Sequence, residues 1–297
     1  MNPQPHFCHN LQCPARGHVG QGNLRVHSHL EQRYRCTLCG QTFAATKGTP
    51  FYRLRTAAEL VTTVLTLLCH GCPLQAIVAA FGLDERTVAT WLLRAGQPCQ
   101  QVHQAVVQRG QVDLQHVQAD ELWVKLVGRR VWMAMALAVP SRLGLGGVIS
   151  PPRDLPLITA LVQMVRTCAR TPAILVCVDG LTSYVTALRR AFRHPVRTGR
   201  RGRPRLVVEK GLFLGQVVKR YIRRRVVSVE RRVGRGSRKA SAAVLAATES
   251  GTGINTASIE RLNATFRASL TLLVRRGRAI AHTEALLTAG MWLVGGA

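Results

Sequence analysis

The segment Ala173-Ile174-Leu175-Val176-Cys177-Val178 is apolar at every position and ends in Asp179-Gly180. A strand without polar alternation is buried on both faces, which puts it inside a sheet covered by helices on either side. A helical pattern from Leu155 to about Ala169 leads into it. Before that come an apolar run around Asp120, an alternating run near Val131 to Val139, a Pro140-Ser141-Arg142 turn and a further run near Leu145 to Ile149. These read as a three-stranded meander. The expected class is α/β, a mixed sheet flanked by helices, occupying about residues 111–297.

With 297 residues the chain has room for one such domain and small appendages. An apolar content of 47% excludes a disordered basic tail. Lys and Arg total 41 against 14 acids, a formal charge of +27. A surface that positive repels itself until a polyanion neutralises it, and nucleic acid is the commonest such partner. Met1 to Asn10 lacks the apolar stretch of a signal peptide, and the most apolar segment, 57–83, is interrupted by Glu59, His70 and Pro73. The nine cysteines are therefore expected as thiols or metal ligands in a reducing compartment. The expected location is the cytoplasm, on the nucleoid, with no membrane partner.

Cys8 and Cys13 enclose four residues, and Cys36 and Cys39 enclose two. Two close pairs on separate turns supply the four soft ligands of tetrahedral Zn²⁺ without a large core. Gly40 directly follows the second pair, and Gln32-Arg33-Tyr34-Arg35 leads into it like a short strand. A zinc ribbon across about residues 6–45 follows, within a first domain over 1–50. His6, His9, His27 and His29 are near enough in sequence to replace one cysteine. Cys69 and Cys72 end an apolar helical pattern and read as core thiols.

From Thr56 to Ala95, within a second domain over residues 51–110, the apolar period is helical. Leu60, Val64, Leu67 and Leu68 form one face; Ile77, Val78 and Phe81 form a second helix after Pro73; Gly82 breaks it. Asp84 N-caps a third helix with Val88, Trp91 and Leu92. Helix, glycine turn and second helix make a helix-turn-helix signature. Arg86 and Thr87 are its candidate DNA contacts, beside Glu85 and Thr90. An ordinary three-helix packing unit gives the same pattern.

Three acids stand in settings suited to catalysis. Asp120 lies within a strand pattern and Asp179 ends one. Glu260 lies on a helix capped by Asn255 or Thr256, whose apolar stripe is Ile259, Leu262, Phe266 and Leu270. Glu260, Asn263 and Arg267 share the neighbouring polar face. Catalytic groups of α/β sheets collect at the C-terminal ends of strands. Three converging carboxylates there can hold two Mg²⁺ or Mn²⁺ ions, which activate an attacking oxygen and stabilise the leaving one in phosphodiester cleavage.

Between these acids, residues 189–239 hold 19 of the basic residues against Glu209 and Glu230. Phe213, Val217, Val218, Tyr221 and Ile222 mark part of this insert as folded. Arg200, Arg201, Arg203 and Arg205 are its candidate DNA contacts, through phosphates or, by the Arg-Gly-Arg-Pro run at 201–204, through an A·T-rich minor groove.

Gln32 to Phe43, then Asp120-Glu121-Leu122-Trp123, then Asn255 to Asn263 resemble the DDE transposases of bacterial insertion sequences, and the resemblance runs over nearly the whole chain. It implies a ribonuclease-H-like catalytic domain behind a zinc ribbon and helix-turn-helix. It carries catalytic Mg²⁺ or Mn²⁺ binding onto Asp120, Asp179 and Glu260 and structural Zn²⁺ onto Cys8, Cys13, Cys36 and Cys39. Arg261, Asn263 and Arg267 are then expected to position DNA. The implied activity is strand cleavage and transfer at element ends, by a homo-oligomer on double-stranded DNA. Two features depart from the family: the first cysteine pair is wider than usual, and the chain stops at Met291 to Ala297 where an aromatic-Asn segment usually follows. The competing expectation is an inactive truncated transposase or a non-catalytic DNA-binding regulator.

Overall fold

The computed structural model describes residues 1–296 except Gly110, Thr198, Arg200, Arg201, Arg224, Thr252 and residues 274–282. The chain divides into two compact units, Met1–Leu65 and Thr66–Ala297.

In the first unit, strands β1 (Leu24–Ser28), β2 (Arg33–Cys36) and β3 (Thr42–Ala44) form an antiparallel sheet with β2 in the middle. Tyr34 and Phe43 sit opposite each other across β2 and β3, and both are buried. With Leu24, Ala15 and the sulfurs of Cys8, Cys13 and Cys36 they make up a small core. Helix α1 (Ala58–Cys69) crosses from this unit into the next.

The second unit begins with helices α2 (Leu74–Phe81) and α3 (Glu85–His103). Gly82 ends α2 in the left-handed region at φ 62°, which glycine adopts without strain. The Asp84 carboxylate accepts from the Arg86 amide at 2.8 Å and starts α3. The helix runs on through Pro98 to His103, past Ala95, where the helical period of the sequence ends.

The sheet follows. β4 (His116–Leu126), β5 (Arg129–Ala138) and β6 (Leu143–Ser150) form the expected antiparallel meander. Helix α4 (Leu155–Cys168) leads to β7 (Ile174–Asp179), which pairs parallel to β4. After α5 (Thr182–Ala191), β8 (Arg193–Val196) and β9 (Arg205–Val208) pair in a separate two-stranded sheet. β10 (Leu212–Ile222) pairs parallel to β7, and β11 (Arg225–Arg235) antiparallel to β10. The six-stranded order is β11-β10-β7-β4-β5-β6.

Ile174 to Val178 are all buried, as an unalternating strand requires. Ile174, Val176 and Val178 join the core under α4 and α5, while Leu175 and Cys177 face a second cluster. That cluster includes Leu245 of helix α6 (Arg238–Ala247). Helix α7 (Ala257–Ser269) lies against β4 and β5, and α8 (Glu284–Gly296) packs along α3. Gly96 of α3 permits that approach: a Cβ there would fall 2.4 Å from the Ala289 Cα.

Candidate active site

The register between β4 and β7 pairs Val117 with Val176 and Gln118 with Cys177. Two residues further along each strand stand Asp120 and Asp179, so parallel pairing brings the two aspartates side by side. Helix α7 is fastened to the same strand. The Gln118 side chain, fully buried, accepts the backbone amides of Ser258 at 2.9 Å and Ile259 at 3.0 Å. It therefore caps α7 from a neighbouring strand, satisfying donors that the first helical turn leaves open. One turn on, Asn263 Nδ2 donates to Asp120 Oδ2 at 2.8 Å. With α7 held at both points, Glu260 lines one cleft together with Asp120 and Asp179. The cleft has a volume of about 500 Å³, and Arg153, Lys219, Tyr221 and Thr256 also border it.

Two cations compensate these acids. Arg153 Nε and Nη2 donate to Glu121 Oε2 at 2.9 and 2.6 Å, and Nη2 also reaches Asp179 Oδ2 at 2.6 Å. Its guanidinium lies over the Trp132 ring. Lys219 Nζ donates to Glu260 Oε1 at 2.6 Å, and the Thr256 hydroxyl to the same oxygen at 2.9 Å. The second Asp179 oxygen accepts the Leu181 amide at 2.9 Å.

The electrostatics differ from one carboxylate to the next. Burial, then the negative charges of Glu121, Asp179 and Glu260, push Asp120 up to about 6, against the lowering backbone hydrogen bond at Glu121. Burial also raises Glu121, only partly offset by the nearby Tyr184 hydroxyl and by Arg153. Glu121 Oε1 and the Tyr184 hydroxyl are both buried. Burial opposes ionisation of Glu260 too, but the hydrogen bonds from Lys219 and Thr256 outweigh it and hold the carboxyl below its ordinary value.

Oxygen atoms of Asp120, Glu121 and Asp179 all lie within 4.8 Å of one another, a group that could hold a divalent metal ion. An all-oxygen donor set matches hard cations. Glu260 is the third carboxylate expected from the sequence. The structure places Glu260 on the same cleft and adds Glu121 to the tight group. Adjacent residues of a strand normally point to opposite faces. Here β7 stops at Asp179, so past that point it no longer separates the two faces of β4.

Glu121 was signalled only by its adjacency to Asp120. Gln118, Arg153, Tyr184 and Lys219 carried no sequence signal that singled them out. Asn263, expected to touch DNA, is buried on Asp120. Arg261 is exposed on α7 and Arg267 is half-buried. Arg86 is exposed and Thr87 half-buried at the start of α3, and Arg203 and Arg205 are exposed. Arg200 and Arg201 lie outside the described residues.

In the first unit the four expected cysteine sulfurs converge as a group that could bind zinc. The Sγ atoms of Cys8 and Cys39 are 3.6 Å apart, and those of Cys13 and Cys36 are 3.8 Å apart. Four sulfurs about 2.3 Å from one ion stand about 3.8 Å from each other, so the spacing fits tetrahedral zinc. Burial opposes the Cys36 thiolate, but backbone amides of Cys39 and Leu38 and the Asn23 side chain bring it down to about 6. Burial pushes Cys8 up to about 12. Among the described residues no histidine joins this group.

No protein-family model matches the chain, and no curated protein matches it. Among the described residues no helix is long and apolar enough to cross a membrane.

Proposed function

We propose that the chain is a DDE-type transposase that cuts and rejoins DNA backbones with divalent metal ions. The observation that carries this reading is the single cleft bordered by Asp120 of β4, Asp179 of β7 and Glu260 of α7. Three antiparallel strands followed by two parallel ones, in the order β10-β7-β4-β5-β6, suit the ribonuclease-H-like domain that the sequence resemblance implies. The net charge of +27 suits a double-stranded DNA substrate held by a protein of the nucleoid.

In this reading Asp120 and Asp179 hold the catalytic Mg²⁺ or Mn²⁺, with Glu260 or Glu121 completing the donor set. The bound ions supply Lewis-acid stabilisation of phosphoryl charge and a more acidic attacking oxygen. Asn263 fixes the Asp120 carboxylate in orientation, and Gln118 fixes α7 and thereby Glu260. Arg153 favours the ionised form of Glu121 and restrains Asp179. Arg261 is exposed on α7 and in this reading would touch the phosphate backbone. The cysteine cluster holds Zn²⁺ in a ribbon which, with α2 and α3, recognises element ends, and the working form is a homo-oligomer on DNA.

The test is nicking and strand transfer of labelled duplex in Mg²⁺, comparing the chain with Asp179→Asn. Metal-dependent cutting or joining that the variant lacks supports the enzyme. A second reading, a non-catalytic DNA-binding regulator, is favoured by the ion pairs of Arg153 and Lys219, which already engage Glu121, Asp179 and Glu260. It expects tight DNA binding, no cutting, and no effect of Asp179→Asn on binding.

A further inference from the structure

Strand β10 pairs with β7 only from Leu212 to Val217. Beyond that point β10 and β11 continue alone, paired with each other as far as Ile222 and Arg225. Lys219 to Ile222 and the described residues from Arg225 to Arg232 are exposed on both faces. At about 3.4 Å per residue, the five residues from Val218 to Ile222 carry this ribbon about 17 Å past the sheet.

Its composition is unusual for an exposed hairpin. Residues 219–235 contain one lysine and seven arginines against Glu230 alone. Among these charges Tyr221 is 60% exposed, Ile222 63%, Val226 49% and Val227 54%. A solvated face does not need apolar residues at its tip, and cations do not line an interface meant for a like-charged copy of the same chain. Cations along the stem with aromatic and aliphatic groups at the end suit duplex DNA, whose backbone takes the charges and whose base edges and thymine methyls take the apolar tip. The major groove is about 12 Å wide and 8.5 Å deep and admits a two-stranded ribbon, which this one is long enough to fill.

We infer that the β10–β11 ribbon is a DNA-binding arm that enters the major groove of the duplex lying in the acidic cleft. The connection to the cleft is direct: Lys219 at the root of the arm and Tyr221 near its tip both border it beside Asp120 and Glu260. A duplex with one phosphate at the carboxylates therefore continues along the arm, which sets its register. The inference rests on the proposed DNA substrate and adds where the protein grips it.

The test uses the full chain and a fluorescein-labelled duplex of arbitrary sequence, with anisotropy titrations from low to moderate KCl. The triple change Arg220→Gln, Arg223→Gln, Arg225→Gln should lower the slope of log affinity against log salt by about 3, since each phosphate contact contributes about 0.9. Dimethyl sulfate footprinting should show guanine N7 protection with the unaltered chain and its loss with Tyr221→Ala, Ile222→Ala. All five side chains are exposed, so both variants should melt like the parent by tryptophan fluorescence. Duplex binding with an unchanged salt slope and unchanged N7 protection overturns the arm but leaves the DNA substrate standing. Failure of the parent to bind duplex at all overturns both. A dimer lost in the variants, with the salt slope intact, shows instead that the ribbon joins two copies.

Discussion

Replacing Asp120 by Asn should stabilise the metal-free protein while abolishing its chemistry. Asp120 is pushed from an ordinary 3.8 to about 6 by burial and by Glu121, Asp179 and Glu260. Its folded-state pKa is thus above its unfolded one, so the fold binds the proton more tightly. The penalty is absent below about pH 4, grows through pH 4 to 6, and is complete above. At about 1.4 kcal/mol per pH unit, the carboxylate costs the fold about 3 kcal/mol at pH 7. Asn carries no charge and its side-chain oxygen still accepts from Asn263 Nδ2, so the exchange removes the penalty and keeps the contact. At about 2–4 °C per kcal/mol for a body of this size, the melting point should rise by about 6–12 °C at pH 7.5 and hardly change at pH 4. Trp91, Trp123, Trp132 and Trp292 all belong to the second unit, so tryptophan fluorescence follows its melting without contribution from the cysteine cluster. Millimolar Mg²⁺ should narrow or reverse the difference, because metal at about 100 times its Kd adds about 2.7 kcal/mol to a protein that can bind it. Equal melting points at pH 7.5 without metal, or a gap that widens toward pH 4, would refute the reasoning.

Gln118→Leu should destabilise the second unit by about 2–4 kcal/mol, since two amides of α7 lose their acceptor, and should abolish Mg²⁺-dependent cutting because Glu260 loses its anchor; an unchanged melt would show that the cap is dispensable. Gly96→Ala should lower stability by about 1–3 kcal/mol although alanine favours helices, because its Cβ meets the Ala289 backbone; a rise in thermal melting point would contradict the packing. Cys36→Ser should expose residues 1–65 to limited proteolysis and leave the tryptophan melt unchanged; coincident loss of both would show that the units fold as one.

The sheet was readable because its signals are local. Ala173 to Val178 lacks polar alternation, and the runs before it alternate and turn at Pro140, so β4 to β7 followed from period and punctuation. The pair Asp120 and Asp179 was readable for a related reason: each ends or interrupts an apolar run, and acids are scarce in this chain. Cys8, Cys13, Cys36 and Cys39 were legible as two close pairs, although spacing left His6, His9, His27 or His29 able to replace one of them. What pattern could not show was pairing across distance. Gln118 reaches the amides of Ser258 and Ile259 about 140 residues away, and nothing at position 118 distinguishes a helix cap from a core amide. Arg153 and Lys219 were hidden by abundance, being two among 41 basic residues. Asn263 shares the expected polar helix face, but its bond to Asp120 was not legible, because helical spacing gives a direction and not what stands there.

Those hidden cations determine how the acidic cleft can respond to a ligand. Arg153 is tied to Glu121 by two hydrogen bonds and to Asp179 by one. The Glu121 side chain is wholly buried, whereas that of Asp179 is 35% exposed. Pulling Arg153 from Glu121 would strand a charge out of reach of water, which is far costlier than freeing a carboxylate that water can solvate. When another cation competes in the cleft, the bond to Asp179 is therefore the one that yields, and Glu121 keeps the guanidinium at the site. A divalent ion in the cleft would be held by Asp179 beside Asp120, and its positive charge would lower the raised pKa of Asp120. Glu121 would then remain the fixed partner of Arg153, and Asp179 would be the carboxylate that changes hands.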